Sequence, residues 1–177
     1  MNAIAETKRL ILRELNVSDS EEFFRLNADP EVLRFTGDEP FSSIAEAESF
    51  LKNYGDYRVN GYGRWAVVSK ESNAFLGWCG LKLNEEKFID LGFRFFQKEW
   101  GRGYATESAR ASLEIGFHHL QIEEIIGRAS LENRASISVL EKTGMKFWKK
   151  GSCKGIENAS YYRLNKPDYL EMHENPL

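Results

Sequence analysis

Gln97 to Phe117 reads QKEWGRGYATESARASLEIGF, with Gly101 and Gly103 directly ahead of an unbroken helical pattern. The first turn of a helix leaves backbone N–H groups unpaired at the positive end of the macrodipole. Glycines there let an anion reach those groups with no Cβ in the way. Gly101-Arg102-Gly103 followed by Tyr104-Ala105-Thr106 therefore has the makings of a phosphate cradle, and Lys98 and Arg102 add local positive charge. A glycine turn used only for its geometry has the same spacing, so both readings stand at this point. A P-loop is excluded because no Lys-Ser/Thr follows the second glycine. A dinucleotide fingerprint would combine Gly101 and Gly103 with an acid at Glu123, but Thr106 occupies the third glycine's place. That fold also opens its domain with this unit, whereas here the unit lies mid-chain behind three strand-like runs.

The elements that must carry this loop follow from pattern. RLILREL (9–15) partly alternates and reads as a strand. Ser18-Asp-Ser-Glu21 reads as a capping box opening a short helix toward Ala28, which Asp29-Pro30 should end. Ser43-Ile-Ala-Glu46 reads as a second box, for a helix to about Tyr57. RWAVVS (64–69), FLGWCGLKL (75–83) and FIDLGFRFF (88–96) are joined by short polar turns, which implies an antiparallel meander. After Gly103 an apolar stripe runs through Ala105, Ala109, Leu113, Gly116, Phe117 and Leu120 at helical spacing. EEIIGRAS (123–130) then reads as a strand, so strand, helix and strand form one parallel crossover. Asn133 can cap a helix through Lys142 with Gly144 at its left-handed end, and MKFWKK (145–150) and ASYYRLN (159–165) are the last strands. The fold class is α+β with a mixed sheet.

Bulk properties bound the function. A length of 177 residues with 42% hydrophobic content suits one domain, 1–177, with a substantial core. The net charge of −3 argues against broad nucleic-acid binding. Two cysteines, Cys79 and Cys153, make neither a disulfide framework nor a metal cluster. His118 and His119 are adjacent, so on a helix they diverge by about 100° and cannot share a metal, and no metal site is expected. The N-terminus holds no apolar run long enough for a signal peptide, and no stretch is long enough to span a membrane, so a cytoplasmic location and no membrane partner are expected.

WGRGYATE (100–107) resembles the acetyl-CoA pyrophosphate loop of the GNAT superfamily of N-acetyltransferases. More narrowly it is similar to the RimJ/RimL-type branch, which includes the ribosomal-protein N-terminal acetyltransferases. The resemblance extends over nearly the whole chain, through TKRLILREL, DPEVLRF (29–35), FLGWCGL (75–81), DLGFRF (90–95) and ENRASISVLEKTGM (132–145). Trp100 replaces the Arg or Gln usual at the start of the superfamily loop, a change common in this branch that leaves the backbone cradle intact. The resemblance implies a mostly antiparallel mixed sheet whose central strand pair splays, the first of the pair carrying a bulge. Pantetheine would insert there against the backbone of Phe93 and Phe95. The pyrophosphate would lie on Trp100, Gly101, Arg102, Gly103, Tyr104, Ala105 and Thr106, with Asn133 and Ser136 beside the pantetheine and thioester. Lys142 begins a basic run to Lys154 that is either a solvated face or a contact for the CoA 3′-phosphate or an acidic substrate.

The implied reaction is direct attack of a primary amine on the acetyl-CoA thioester, with acetyl-CoA as cosubstrate. It needs a free-base amine, oxyanion stabilisation and a proton for the departing thiolate. Ser136 matches the position of the general acid and could equally be a helix-capping serine. Asp90 matches the acid of the family's Glu-x-Gly strand, as base or amine binder, and could equally be a solvated edge carboxylate. Tyr161 or Tyr162 offers an inward hydroxyl. The acceptor is a protein N-terminal amine or a small-molecule amine, and a homodimer is compatible with the resemblance. A non-catalytic acyl-CoA sensor that keeps the cradle is the alternative function.

Overall fold

The computed structural model describes residues 3–174. In chain order it contains β1 (Ala3–Glu6), β2 (Leu10–Glu14), α1 (Ser20–Leu26), α2 (Pro30–Leu33), α3 (Ile44–Lys52), α4 (Asp56–Asn60), β3 (Arg64–Ser69), β4 (Phe75–Leu83) and β5 (Ile89–Phe95). Then come α5 (Tyr104–Glu114), continued as a π turn over Ile115–His119, β6 (Glu124–Ser130), α6 (Arg134–Lys142), β7 (Lys146–Cys153), β8 (Ile156–Asn165) and α7 (Lys166–Glu174). The strands form one eight-stranded sheet in the order β1-β2-β3-β4-β5-β6-β8-β7. Every neighbouring pair is antiparallel except β5·β6, the two strands joined by α5. The expected α+β sheet, meander and crossover are all present.

Helices cover both faces. Leu10, Leu12, Trp65, Val67, Leu81, Leu91 and Phe95 pack on one face against Ala109, Leu113 and Phe117 of α5 and its π turn and Ile137 and Leu140 of α6. Each Leu, Ile, Val or Phe among them contributes about 1.5–3 kcal/mol on burial. Gly116 and Gly127 let this layer close up, since added Cβ atoms would lie 2.6 Å from Ile125 and Leu140 side-chain carbons respectively. The opposite face carries Leu15, Phe23, Ala47, Leu51 and Ala66, with Phe41 and Trp78 packed around them.

Several local expectations are corrected. The first cap is Asn16, not Ser18: its side chain accepts from Ser18 N–H at 2.9 Å while Asp19 accepts from Asn16 N–H at 3.0 Å. Asp19 also grips Arg13 through bonds of 2.7 and 2.6 Å, and this buried pair sets where the chain turns. Asp29-Pro30 does not merely end a helix. Asp29 caps α2 through Glu31 N–H at 2.9 Å, with proline at the first position, where its missing N–H costs nothing. The helix from Ser43 stops at Lys52, and a separate α4 ends on Gly61 at φ 77°. β1 and α7 were not legible, being four polar-flanked residues and a helix whose apolar side chains form no single stripe.

β5 and β6 pair only at Asp90↔Ile126 and Leu91↔Gly127 and then part. The expected bulge is absent from this place, because β4·β5 stays in unbroken register from Ile89 to Phe95. β6 likewise keeps unbroken register with β8 from Glu124 to Ser130, so the opening lies between two regular ladders.

Candidate active site

Gly101 and Gly103 adopt φ of 74° and 79°, the left-handed conformation that favours glycine. Gly103 is the N-cap of α5 and supplies no side-chain cap. No backbone N–H from Gly101 to Thr106 has an acceptor among the described residues. Six consecutive donors at a helix N-terminus can receive a diphosphate. An added Cβ on Gly101 would meet nothing within 4 Å, so its approach is open.

The loop is held from beneath by the β1–β2 turn. Glu107 accepts from Thr7 Oγ1 at 2.6 Å, Arg9 N–H at 2.9 Å and Arg9 Nε at 2.7 Å. Arg9 Nη1 donates to the Arg102 carbonyl at 2.9 Å, and its guanidinium lies over the Tyr104 ring. Burial pushes the Glu107 carboxyl up, but the Thr7 hydroxyl and Arg9 outweigh it, and the group stays below its ordinary range. Arg102 itself stands 3.5 Å from Glu99.

Beside the loop lies the opening between β5 and β6. Phe96 N–H donates to the Leu76 carbonyl, so alternation along the ladder turns the backbone groups of Phe93 and Phe95 away from β4 and toward that opening. The Phe95 carbonyl already accepts from Trp100 Nε1 at 2.9 Å, which leaves Phe93 as the free edge. Across the opening, Asn133 caps α6 by accepting from Ser136 N–H at 3.1 Å. The cap is thus the Asn133 side chain, and the half-buried Ser136 hydroxyl bonds to no other described residue.

Asp90 does not lie in solvent. It is 5% exposed, and its two oxygens meet Arg64 Nη2 at 3.2 Å and Arg128 Nε at 2.6 Å. Arg64 also donates to the Asp90 carbonyl at 2.8 Å and to the Gly80 carbonyl. Gly92 leaves room for this guanidinium, since an added Cβ would sit 2.6 Å from its central carbon and push it aside. Arg128 continues to Glu85 at 2.7 Å. Burial pulls Arg128 down, Glu85 and Asp90 outweigh it, and its pKa ends raised. Arg128 holds the Glu85 carboxyl down at about 2. Asp90 is thus held between two guanidiniums, one on each oxygen.

Tyr161 and Tyr162 fall on opposite faces. Tyr161 Oη lies 2.9 Å from Glu86 and 2.8 Å from the Ser152 carbonyl, and burial together with Glu86 pushes it up to about 12. Tyr162 Oη donates to Glu141 at 3.2 Å on the α6 side. Lys142, at the end of α6, shares a groove with Gly103, Thr106 and Arg110, and Arg110 donates to its carbonyl at 3.0 Å. In the basic run beyond it, Lys146 pairs with Asp168 at 3.0 Å and Lys149 lies over Trp148 and Tyr161.

Sequence reasoning missed Thr7 and Arg9, the Arg64–Asp90–Arg128 chain and Arg94. A signal for the last three existed: an arginine inside a strand pattern, as in EEIIGRAS and LGFRFF, is buried only when paired. No group of three or more metal-ligating side chains occurs among the described residues, and none of their helices is long and apolar enough to cross a membrane.

Comparison with known proteins places this geometry. The family model described as acetyltransferase (GNAT) domain matches residues 9–146. The uncharacterized N-acetyltransferase YnaD of Bacillus subtilis is 30% identical over 165 residues, covering 89% of this chain and 94% of its own. A GNAT-family acetyltransferase of Bacillus anthracis superposes with a TM-score of 0.78 at 24% identity, over 94% of this chain and 99% of its own. The spermidine N-acetyltransferase of Vibrio cholerae, solved with CoA and spermine, superposes with a TM-score of 0.77 at 19% identity, over 93% and 99%. At those identities the two structural likenesses concern the fold alone.

Proposed function

This chain belongs to the GNAT acetyltransferase family, an acetyl-CoA-dependent N-acetyltransferase, and we propose that its acceptor is an α-amine at a peptide or protein N-terminus, as in the RimJ/RimL branch. The observation that carries the cofactor half of this reading is the run of partnerless N–H groups from Gly101 to Thr106 beside the strand opening. In it the loop from Trp100 to Thr106 binds the diphosphate of acetyl-CoA, Phe93 and Asn133 flank the pantetheine, and Lys142 with Arg110 borders the nucleotide end. Acetyl-CoA supplies the activated carbonyl. The amine nitrogen attacks it, the C–S bond breaks, the nitrogen's surplus proton passes to solvent, and the free Ser136 hydroxyl stands ready to give its proton to the thiolate and to be reprotonated from solvent.

The acceptor half rests on the state of the bases. Asp90 is clamped by two guanidiniums and Tyr161 is occupied, so neither is poised to strip a proton from a strongly basic amine. An α-amine, with a pKa near ~8 against ~10.4 for a lysine-type amine, supplies far more free base at neutral pH. A second reading takes the acceptor to be a small-molecule amine, the class to which the spermidine of the Vibrio cholerae enzyme belongs. One observation favours it. A cavity of about 470 Å³ on the α3–α4 side is lined by Phe41, Phe50, Tyr54, Glu46, Asp56 and Lys82; Asp56 already faces Lys82 at 3.8 Å, so Glu46 and the aromatic rings are what it offers an ammonium group. Thiol release from acetyl-CoA across N-terminal peptides, polyamines, aminoglycosides and amino acids separates the two. Faster turnover of a polyamine than of any peptide would overturn the α-amine assignment. Absence of turnover with every amine, alongside tight CoA binding, would leave the chain an acyl-CoA sensor.

A further inference from the structure

Beyond Leu91 and Gly127 the strands β5 and β6 form two lips of an opening, and each lip carries an arginine that reaches a loop outside its own strand. On β5, Arg94 is 10% exposed and donates to Asn27 and, at 2.6 Å, to Asp38, so it holds the loop between α2 and α3. On β6, Arg128 reaches Glu85 in the β4–β5 turn, and its cross-strand neighbour Tyr161, on β8, ties the turn of its own β7–β8 hairpin through the Ser152 carbonyl at 2.8 Å. Asp90, Gly92 and Arg94 share a face by strand alternation, and Arg128 shares it through the Asp90↔Ile126 register. Both loops therefore rise on the face that carries α1 and α3.

There they touch, backbone to backbone. A Cβ added to Gly37 would lie 2.5 Å from the Cα and carbonyl carbon of Gly155, and one added to Gly155 would lie 2.5 Å from the Gly37 Cα. Both residues have positive φ, 67° and 73°. A hairpin turn explains the φ of Gly155 alone. It does not explain why two residues from unconnected loops each exclude the other's Cβ. No side-chain rotation could relieve either clash, because the obstacle on both sides is main chain.

We propose that the Gly37–Gly155 contact is a clasp across the acceptor side of the opening, which keeps water from the thioester and restricts which amines reach it. This rests on the acetyl-transfer reading. Enclosure of a reactive acyl group suppresses hydrolysis, and a loop contact that must part for the acceptor filters by bulk. Where water enters instead, its oxygen attacks the thioester carbonyl and the C–S bond breaks. The products are acetate, one proton released to solvent and the other taken by the thiolate to give free CoA.

The test is amine-free thiol release from acetyl-CoA by the wild type, Gly155→Ala and Asp38→Ala. It is read together with the acetyl-CoA Kd and the ratio of kcat/KM for a bulky and a slender primary amine. Gly155→Ala forces the loops apart, and Asp38→Ala frees one of them at an exposed residue, so the second variant decides if the first does not fold. Expected are an unchanged Kd, hydrolysis raised on the order of tenfold, and relative gain of the bulky amine. Folded variants that bind acetyl-CoA as the wild type does, with hydrolysis and amine ratio unchanged, overturn the clasp and leave the acetyl-transfer reading intact. A wild type that binds no acetyl-CoA removes both.

Discussion

Ser136 and Asp90 have similar standing in the sequence and very different surroundings in the fold. The Ser136 hydroxyl has no partner among the described residues, because Asn133 performs the capping through the Ser136 N–H. Ser136→Ala should therefore leave helix α6 and the acetyl-CoA KM nearly unchanged while lowering kcat by ~10²-fold, the low end for a general acid. Steady-state kinetics showing a loss below about threefold would make water or Tyr162 the donor. Asp90→Asn should act first on stability. Removing one charge from between Arg64 and Arg128 leaves Arg64 on the Gly80 and Asp90 carbonyls and Arg128 on Glu85, so the loss should fall below the ~3–5 kcal/mol of a buried pair broken outright. Calorimetric unfolding with no fall in melting temperature would return Asp90 to the chemistry. Legibility follows the same division. The motif identified position 90 as acidic and near the strand opening, but its partners lie 26 and 38 residues away and leave no local pattern.

At the scale of elements, the strands β2 to β6 and the helices α5 and α6 were legible because their apolar residues recur at periods of two and about 3.6. α1 was misplaced because Asn16 caps a 3₁₀ turn over Val17–Asp19 ahead of it, and α1 itself starts at Ser20 without a side-chain cap. The support of the loop was not legible at all. Thr7, Arg9 and Glu107 are brought together by the pairing of β1 with β2 near the start of α5, and nothing local in TKRL or ATE announces it. Glu107→Gln should weaken acetyl-CoA binding roughly tenfold with little change in far-ultraviolet circular dichroism, because the cradle loses its floor while the helix keeps its core face. Unaltered affinity would mean that the loop holds its shape through Gly101 and Gly103 alone.

The Glu85–Arg128 pair makes a pH prediction at the same scale. The carboxyl is lowered from 4.5 to about 2 in the folded chain, so its stabilisation is present above the unfolded value and lost as pH falls through about 2. Glu85→Gln should flatten the stability profile between pH 4.5 and pH 2, discounted for the half-exposed position of Glu85. An unchanged acid limb in chemical denaturation at those pH values would deny the pair any such role.

For the whole molecule, the family match spans residues 9–146, and the two solved structures superpose over at least 93% of the chain, so its fold is the one they share. Binding that discriminates folded from unfolded chain should raise stability by about 2.7 kcal/mol at a ligand concentration 100 times Kd. The acetyl-CoA site at the α5 N-terminus is decided by isothermal titration of acetyl-CoA into the wild type and Gly103→Glu, with the fold of both checked by circular dichroism. A glutamate there places a carboxylate among the free N–H groups and repels the diphosphate, so affinity should fall by about tenfold or more. Equal affinity in a folded Gly103→Glu protein would contradict acetyl-CoA binding at this loop.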